Sequence, residues 1–304
     1  MDHNQLVIDG KKGERITLWC LFGNAVLSVF KLIVGVMGNS AAMVADAIHS
    51  AADVLATGVV YIGLLISKIP KDENHPYGHG KIEPLMSIFV GLSLLFAVYA
   101  IIRGTVTSML TGNFETPAVI AAATAVVTII IKEIMYRITL NIGKKLNSES
   151  IIANAWDHRS DAISSVGTFT GITASIIGGY YGIEFLRYMD PVAGFIVACV
   201  ILKIAVDILV GAFNSLMDKA PEKSVFDEIT EAAKNTPGVT KVSDVKARFM
   251  GRHIFSETII EVAREISVEE GHNIAIAVRS NIIKNVKFME DVLIHVEPEG
   301  FSEK

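Results

Sequence analysis

The chain of 304 residues is poor in charge, because only 19% of its residues are Asp, Glu, Lys or Arg. A typical soluble domain has about 25%. The net charge of −5 leaves no basic excess to neutralise phosphates, which excludes a nucleic-acid-binding module. Two cysteines are too few for a disulfide framework or a four-cysteine zinc site. Hydrophobic residues make up 51% of the chain and the mean hydropathy is +0.46, so the composition excludes a disordered chain and indicates a membrane protein.

The charge that is present lies mostly near the C-terminus. Residues 221–304 hold 15 of the 32 acidic residues and 11 of the 27 basic residues. We therefore divide the chain into a membrane domain, residues 1–220, and a soluble domain, residues 221–304.

Six apolar runs in the first part approach or exceed the roughly 20 residues that a helix needs to cross a bilayer. They cover about 16–37, 41–67, 82–102, 117–140, 150–179 and 189–216. Lysine and arginine collect at the N-terminus and in the second and fourth loops, which predicts that both termini are cytoplasmic. These basic residues are Lys11, Lys12, Arg15, Lys68, Lys71, Lys81, Arg137, Lys144 and Lys145.

The soluble domain shows the order α-β-β-α-β. Ser224, with Asp227 three residues later, is close to a capping box, and Ser267 with Glu270 forms a complete one at the start of a helix that runs to about Asn285. Strands are predicted at about 240–249, 254–263 and 291–296. The pattern predicts a compact, ferredoxin-like α+β domain.

Acidic residues within apolar runs are costly in a membrane and therefore indicate function. The second run contains His49 and Asp53, and the fifth contains Asp157 and Asp161. A spacing of four places each pair on one helical face. One imidazole and three carboxylates can enclose a divalent cation, although buried hydrogen bonds or ion pairs between helices are the alternative. His158, three residues before Asp161, is an alternative ligand to Asp157.

Other ionisable residues in the runs allow simpler interpretations. Asp46 shares the stripe of His49 and is interpreted as a hydrogen-bond acceptor for a ligand, a proton carrier or a helix-packing group. Lys203 and Asp207, four residues apart and of opposite charge, predict a structural ion pair. Lys132 and Glu133 predict a similar role.

The loop after the second run contains Asp72, His75 and His79. Two imidazoles and one or two acids within eight residues are able to hold a second metal ion. The alternative is a solvated loop that caps the third helix.

These residues resemble the cation diffusion facilitator family over about residues 13–298. Four stretches carry the resemblance: 45–53 (ADAIHSAAD), 75–83 (HPYGHGKIE), 154–162 (NAWDHRSDA) and 216–221 (LMDKAP). The resemblance implies six transmembrane helices, a metallochaperone-like cytoplasmic domain and a homodimer in the plasma (inner) membrane. It also implies export of a divalent metal in exchange for protons, by alternating access.

The resemblance also assigns roles to residues. His49, Asp53, Asp157 and Asp161 would form the transport site, and Asp72, His75 and His79 a loop site. Lys81 and Asp218 match an ion pair between subunits that supports the dimer in some relatives. His295 and Glu297, with His272 as a looser candidate, match a cytoplasmic metal site. That site is incomplete, because Ser243 and Ile259 stand where the family has histidines.

The ligand set of the transport site is compatible with several metals. Asp157 stands where zinc-selective relatives often have histidine, and harder oxygen ligands favour Mn²⁺ or Fe²⁺, while the imidazole keeps Zn²⁺ and Cd²⁺ open. No other cofactor is expected, and we expect no enzymatic activity, since the sequence has no H-E-x-x-H helix for a membrane hydrolase. A membrane metal sensor or scaffold that transports nothing is the alternative function.

Overall fold

The structure is a computed structural model that describes residues 3–66, 69, 72–112, 115–146, 149–250 and 253–300. The side chains of residues 3–17, 60, 61, 63–65, 146, 149 and 150 lie outside the described part. Among the basic residues used to predict topology, Lys68 and Lys71 lie outside the described residues, as do the side chains of Lys11, Lys12 and Arg15.

The described part of residues 3–216 consists mainly of long helices, as the apolar runs predict. The helices are α1 (His3–Met37), α2 (Ala41–Ile66), α3 (Ile82–Thr111), α4 (Val119–Leu146), α5 (Glu149–Tyr181), the short α6 (Glu184–Arg187) and α7 (Met189–Leu216). Five described stretches are long and apolar enough to cross a membrane: Leu18–Met37, Ile82–Thr111, Val119–Lys145, Ile151–Tyr181 and Glu184–Leu216. Helix α2, with 26 residues, also exceeds the roughly 20 residues required. The prediction of a helical membrane domain is confirmed.

Close helix packing in this domain depends on small residues, as is common between membrane helices. A Cβ atom on Gly194 of α7 would lie 2.9 Å from the carbonyl carbon of Ala41, at the start of α2. At the same junction, Ser40 Oγ donates a 2.6 Å hydrogen bond to Asp190 Oδ1, and the Ala41 N–H donates to Oδ2 at 2.8 Å. The Asp190 carboxylate therefore caps the N-terminus of α2 and fixes the helix that carries His49 and Asp53.

The soluble domain has the predicted order of elements. It contains α8 (Lys223–Lys234), β1 (Val239–Met250), β2 (His253–Val262), α9 (Val268–Asn285) and β3 (Met289–Pro298). The sheet order is β1-β2-β3, with β1 antiparallel and β3 parallel to β2. Its apolar core lies between the sheet and the two helices and includes Ile229, Ala233, Ile260, Val278 and Ile282. The predicted α+β fold is confirmed.

The two predicted helix caps have different outcomes. Ser267 accepts a hydrogen bond from the Glu270 N–H at 3.2 Å, and Glu270 Oε2 accepts one from the Ser267 N–H at 2.7 Å, so the capping box is confirmed. The Ser224 cap is wrong, because the extended Glu222 is the N-cap residue of α8 and Ser224 falls within the first turn.

Glu261 of β2 links the stability of the soluble domain to pH. Its nearly buried carboxylate accepts hydrogen bonds from Lys241 Nζ at 2.8 Å, Ser243 Oγ at 2.6 Å and the Gly300 N–H at 3.1 Å. These bonds, that from Lys241 first, lower the pKa of Glu261 from 4.5 to about 2. A lowered folded-state pKa means that the carboxylate contributes stability above about pH 4.5, which is lost as the pH falls toward 2.

We predict that Glu261→Gln weakens the pairing of β1 with β2 at pH 7. The stability of this pairing should also change less than in the wild type when the pH is lowered. Amide hydrogen exchange of the full chain at pH 7 and pH 3 measures this. The variant should exchange faster than the wild type at pH 7, and the difference should shrink at pH 3. An equal difference at both pH values would contradict the assignment.

Candidate metal sites

The structure brings together three of the four residues predicted to form the transport site. His49, Asp53 and Asp161 each offer a ligand atom, and these atoms lie within 4.8 Å of one another. His49 Nε2 is 3.9 Å from Asp161 Oδ1, and both side chains are 13% exposed. His49 Nδ1 and Asp53 Oδ2 are buried and have no hydrogen-bond partner among the described residues. One nitrogen and two carboxylates are a suitable set for a divalent transition metal.

Asp157, the fourth predicted ligand, lies one helical turn before Asp161 with an exposed side chain. Among the described residues it does not join the group of ligand atoms within 4.8 Å. His158, the alternative, is almost fully buried, but it also lies outside this group, and neither ring nitrogen has a described hydrogen-bond partner.

Lys132 of α4 also belongs to this region, with a partner that the sequence did not identify. Its ammonium group lies 2.6 Å from Asp161 Oδ2 and 2.9 Å from Asn24 Oδ1, and its side chain is fully buried. Lys132 and Glu133 each form an ion pair, as predicted, but not with each other. Glu133 instead pairs with Arg137 at 2.8 Å, because adjacent residues on a helix point in different directions, whereas residues four apart are neighbours.

A second buried ion pair lies near the group. Lys31 Nζ is 2.7 Å from Asp46 Oδ2 and donates to Ser50 Oγ at 3.0 Å, and Ser165 Oγ donates to Asp46 Oδ2 at 3.2 Å. Of the three interpretations of Asp46, these contacts favour helix packing. The Lys203–Asp207 pair, in contrast, is not found: both side chains are exposed on α7, and neither forms an ion pair with any described residue.

The predicted loop site lies outside the membrane helices. Asp72 Oδ1 is 3.1 Å from His75 Nδ1, Asp72 Oδ2 is 3.4 Å from His79 Nε2, and the imidazole centroids are 4.4 Å apart. Asp72 also accepts the His75 N–H at 2.7 Å, and this backbone bond is the main reason that the Asp72 pKa is lowered. The three residues therefore form a second, more exposed group suited to a cation.

Lys81, Asp218 and the predicted cytoplasmic ligands lie in one compact unit. This unit comprises residues 60–88 and 210–304 and includes the soluble domain. Lys81 Nζ lies 3.0 Å from Asp218 Oδ1 of the same chain, and Arg248 donates to Asp218 Oδ2 at 3.3 Å. Asp218 adopts a left-handed backbone conformation, with φ of 55°.

The predicted cytoplasmic ligands are less well gathered. His295 Nε2 is 3.6 Å from Glu297 Oε1, and Glu297 lines a surface cavity together with His272. In the part of the chain that the structure describes, the three do not bring their ligand atoms within 4.8 Å of one another. Ser243, at a position where the family has histidine, donates to Glu261, which also holds the ammonium of Lys241.

Comparison with known proteins covers nearly the whole chain. Residues 18–217 match the cation efflux transmembrane domain, and residues 221–299 match the cytoplasmic domain of cation efflux proteins. An uncharacterized transporter of Methanocaldococcus jannaschii is 38% identical over 93% of this chain and 98% of its own. The manganese efflux system protein MneP of Bacillus subtilis is 34% identical, over 94% of this chain and 96% of its own.

The magnetosome protein MamB of Paramagnetospirillum magneticum is 33% identical over 94% of both chains. The two matched domains occur in the order that the sequence motifs predict. His49, Asp53, Asp157 and Asp161 all lie within the matched transmembrane domain. The chain belongs to the cation diffusion facilitator family and is a divalent metal efflux transporter.

Proposed function

We propose that the chain exports a divalent transition metal from the cytoplasm in exchange for protons, by alternating access. The observation that carries the proposal is the group of His49, Asp53 and Asp161, which places one nitrogen and carboxylate oxygens from two apolar helices within 4.8 Å. Negative charge within apolar helices attracts a cation and is too costly in a membrane to be incidental. Asp157, one turn away, is the fourth ligand in this proposal.

Proton exchange follows from the chemistry of the ligands. Carboxylate and imidazole groups bind metal only when they are deprotonated, so protons and metal compete for the same atoms. Histidine is the side chain whose ordinary titration range lies nearest to neutral pH. A proton taken up by one of these ligand atoms as the site opens outward, at His49 in this proposal, would help to release the metal.

The proposal includes an orientation of the chain in the membrane and a division into two domains. Residues 1–220 would form the transport domain of a plasma-membrane protein with both termini in the cytoplasm. Lys144 and Lys145, at the end of α4, support this orientation through the positive-inside rule. Residues 221–304 would form a cytoplasmic domain that joins two chains into a homodimer.

The loop group of Asp72, His75 and His79 would bind a second metal ion on the cytoplasmic side. His272, His295 and Glu297 would bind a regulatory ion weakly, or only with the help of the second chain. The proposed function includes neither an enzymatic activity nor a further cofactor.

Flux through reconstituted vesicles tests the proposal. We expect wild-type liposomes to accumulate Mn²⁺ or Zn²⁺ when a proton gradient of the correct sign is imposed, and Asp53→Ala to reduce the rate to background. Glu133→Gln is the matched control. It removes a carboxylate from α4 at the residue next to Lys132, and it should transport normally. Metal binding by the wild type without flux would favour the sensor or scaffold, and normal proton-dependent flux in Asp53→Ala would overturn the site.

The metal is proposed to be Mn²⁺, with Fe²⁺, Zn²⁺ and Cd²⁺ as competitors. Three carboxylates and one imidazole form a predominantly hard ligand set, and the relative MneP is named as a manganese efflux protein.

We predict that Asp157→His moves selectivity toward zinc by about tenfold, because it exchanges an oxygen for a nitrogen ligand. Competition flux with Mn²⁺, Fe²⁺, Zn²⁺, Cd²⁺ and Co²⁺ measures the change. An unchanged order of preference would show that the exposed Asp157 is not a ligand.

A further inference from the structure

The buried ammonium group of Lys132 contacts the proposed transport site directly. It lies on α4, while the ligands lie on α2 and α5, so the group includes charges from three helices. Among the described residues, Lys132 donates to Asp161 Oδ2 at 2.6 Å and to Asn24 Oδ1 at 2.9 Å. Asn24 supplies a neutral acceptor, which leaves Asp161 as the carboxylate in contact with this cation.

The two oxygens of Asp161 therefore face different partners. Oδ1 is directed toward His49 Nε2, at 3.9 Å, whereas Oδ2 is bound to Lys132. A cation held between His49, Asp53 and Asp161 reaches Oδ1 without disturbing the lysine. To bind both oxygens it must first displace the ammonium group. Lys132 thus limits Asp161 to one metal–oxygen contact.

The lysine also changes the charge of the group. Two carboxylates and one ammonium leave a single net negative charge where Asp53 and Asp161 alone would provide two. A neighbouring positive charge weakens the binding of a divalent cation, and this effect is largest where water is excluded. A transport site must bind its ion strongly enough to load but weakly enough to release it.

We propose that Lys132 is a positioning residue that sets the affinity and selectivity of the transport site. It holds Asp161 in one-oxygen coordination and offsets part of the negative charge, so that the metal is able to leave. This inference rests on the proposed function of His49, Asp53 and Asp161 as the transport site.

The same domain offers a matched comparison for a merely structural role. Lys31 is also fully buried and also pairs with a carboxylate, that of Asp46, at 2.7 Å. Asp46 does not belong to the group of ligand atoms. Removing either lysine breaks a buried ion pair, but only the removal of Lys132 frees an oxygen of a proposed ligand.

The experiment compares the full-length wild type with Lys132→Gln, Lys132→Arg and Lys31→Gln in liposomes. For Lys132→Gln we expect the KM for Mn²⁺ to fall about tenfold or more and kcat to fall with it, because the ion binds more tightly and leaves more slowly. The gain should be larger for Mn²⁺ than for Zn²⁺, since Mn²⁺ takes six ligands and can use the freed oxygen, while Zn²⁺ takes four. Lys132→Arg, which keeps the charge, should retain the wild-type KM.

Thermal unfolding provides a second measurement that does not require transport. Added Mn²⁺ should raise the unfolding temperature of Lys132→Gln more than that of the wild type, because metal replaces the lost charge beside Asp161. Lys31→Gln should show neither this extra shift nor a change in the preference for Mn²⁺ over Zn²⁺.

The outcomes separate this inference from the proposed function. Absence of flux in the wild type would refute the proposed function itself. Normal wild-type flux, with an unchanged or raised KM in Lys132→Gln and a metal preference like that of Lys31→Gln, would overturn only the role of Lys132. Lys132→Met serves as a second uncharged variant. Failure of both Lys132→Gln and Lys132→Met to fold would assign the lysine a structural role and would equally overturn the inference.

Discussion

Replacing Asp161 by alanine is expected to abolish metal transport and to destabilise the membrane domain at the same time. The substitution removes a proposed metal ligand and leaves the ammonium group of Lys132 buried, with Asn24 as its one remaining partner among the described residues. Removing one member of a buried ion pair typically costs about 3–5 kcal/mol, because the remaining charge is uncompensated. Both effects arise from the same carboxylate, so a single measurement cannot separate them.

A second substitution separates the two effects. In the double variant Asp161→Ala/Lys132→Met the uncompensated charge is gone, so most of the lost stability should return while transport stays at background. Thermal unfolding in detergent measures the first quantity, and metal flux in liposomes measures the second. Recovery of flux in the double variant would contradict the assignment of Asp161 as a ligand.

The long apolar runs of the sequence were sufficient to predict the helices of the membrane domain. A run of about 20 apolar residues needs a helix in a membrane, since every backbone group must be satisfied within the segment. The alternation of strands and the Ser267–Glu270 capping box placed the elements of the soluble domain within about two residues. Local chemistry was sufficient for these features, because each depends on neighbours in the sequence.

Contacts between helices were less accessible to prediction. The spacing of His49 and Asp53 identifies a helical face, but it does not show which residue of α4 meets that face. A lysine in an apolar run requires an acidic partner, and this rule was available for Lys132. The rule does not tell whether the partner is Glu133, the adjacent residue, or Asp161, 29 positions away.

For Lys203 and Asp207 the sequence predicted an ion pair that the structure does not contain. A spacing of four makes contact geometrically possible, yet both side chains are exposed on α7 and form no ion pair with each other. The periodicity of a sequence therefore gives directions around one helix, whereas ion pairs across helices depend on packing that only the structure supplies.

Asp46→Asn is expected to have the second large effect on the membrane domain. The substitution leaves the fully buried ammonium of Lys31 with Ser50 and a neutral amide in place of the carboxylate, 2.7 Å away, that now compensates it. We expect a loss of about 3–5 kcal/mol in the free energy of unfolding. An exposed pair such as Glu133–Arg137 contributes only about 0–1 kcal/mol, so Glu133→Gln is the control.

The consequence for transport distinguishes packing from proton carriage at Asp46. If the carboxylate only holds α1 against α2, the double variant Lys31→Met/Asp46→Leu should regain stability and proton-dependent flux, because apolar side chains often replace a buried ion pair without loss. Unfolding midpoints and flux at two pH gradients are the measurements. A stable double variant that moves metal without proton dependence would instead show that Asp46 carries protons. The contacts of Asp46 with Lys31 and Ser165 lead us to expect the first result.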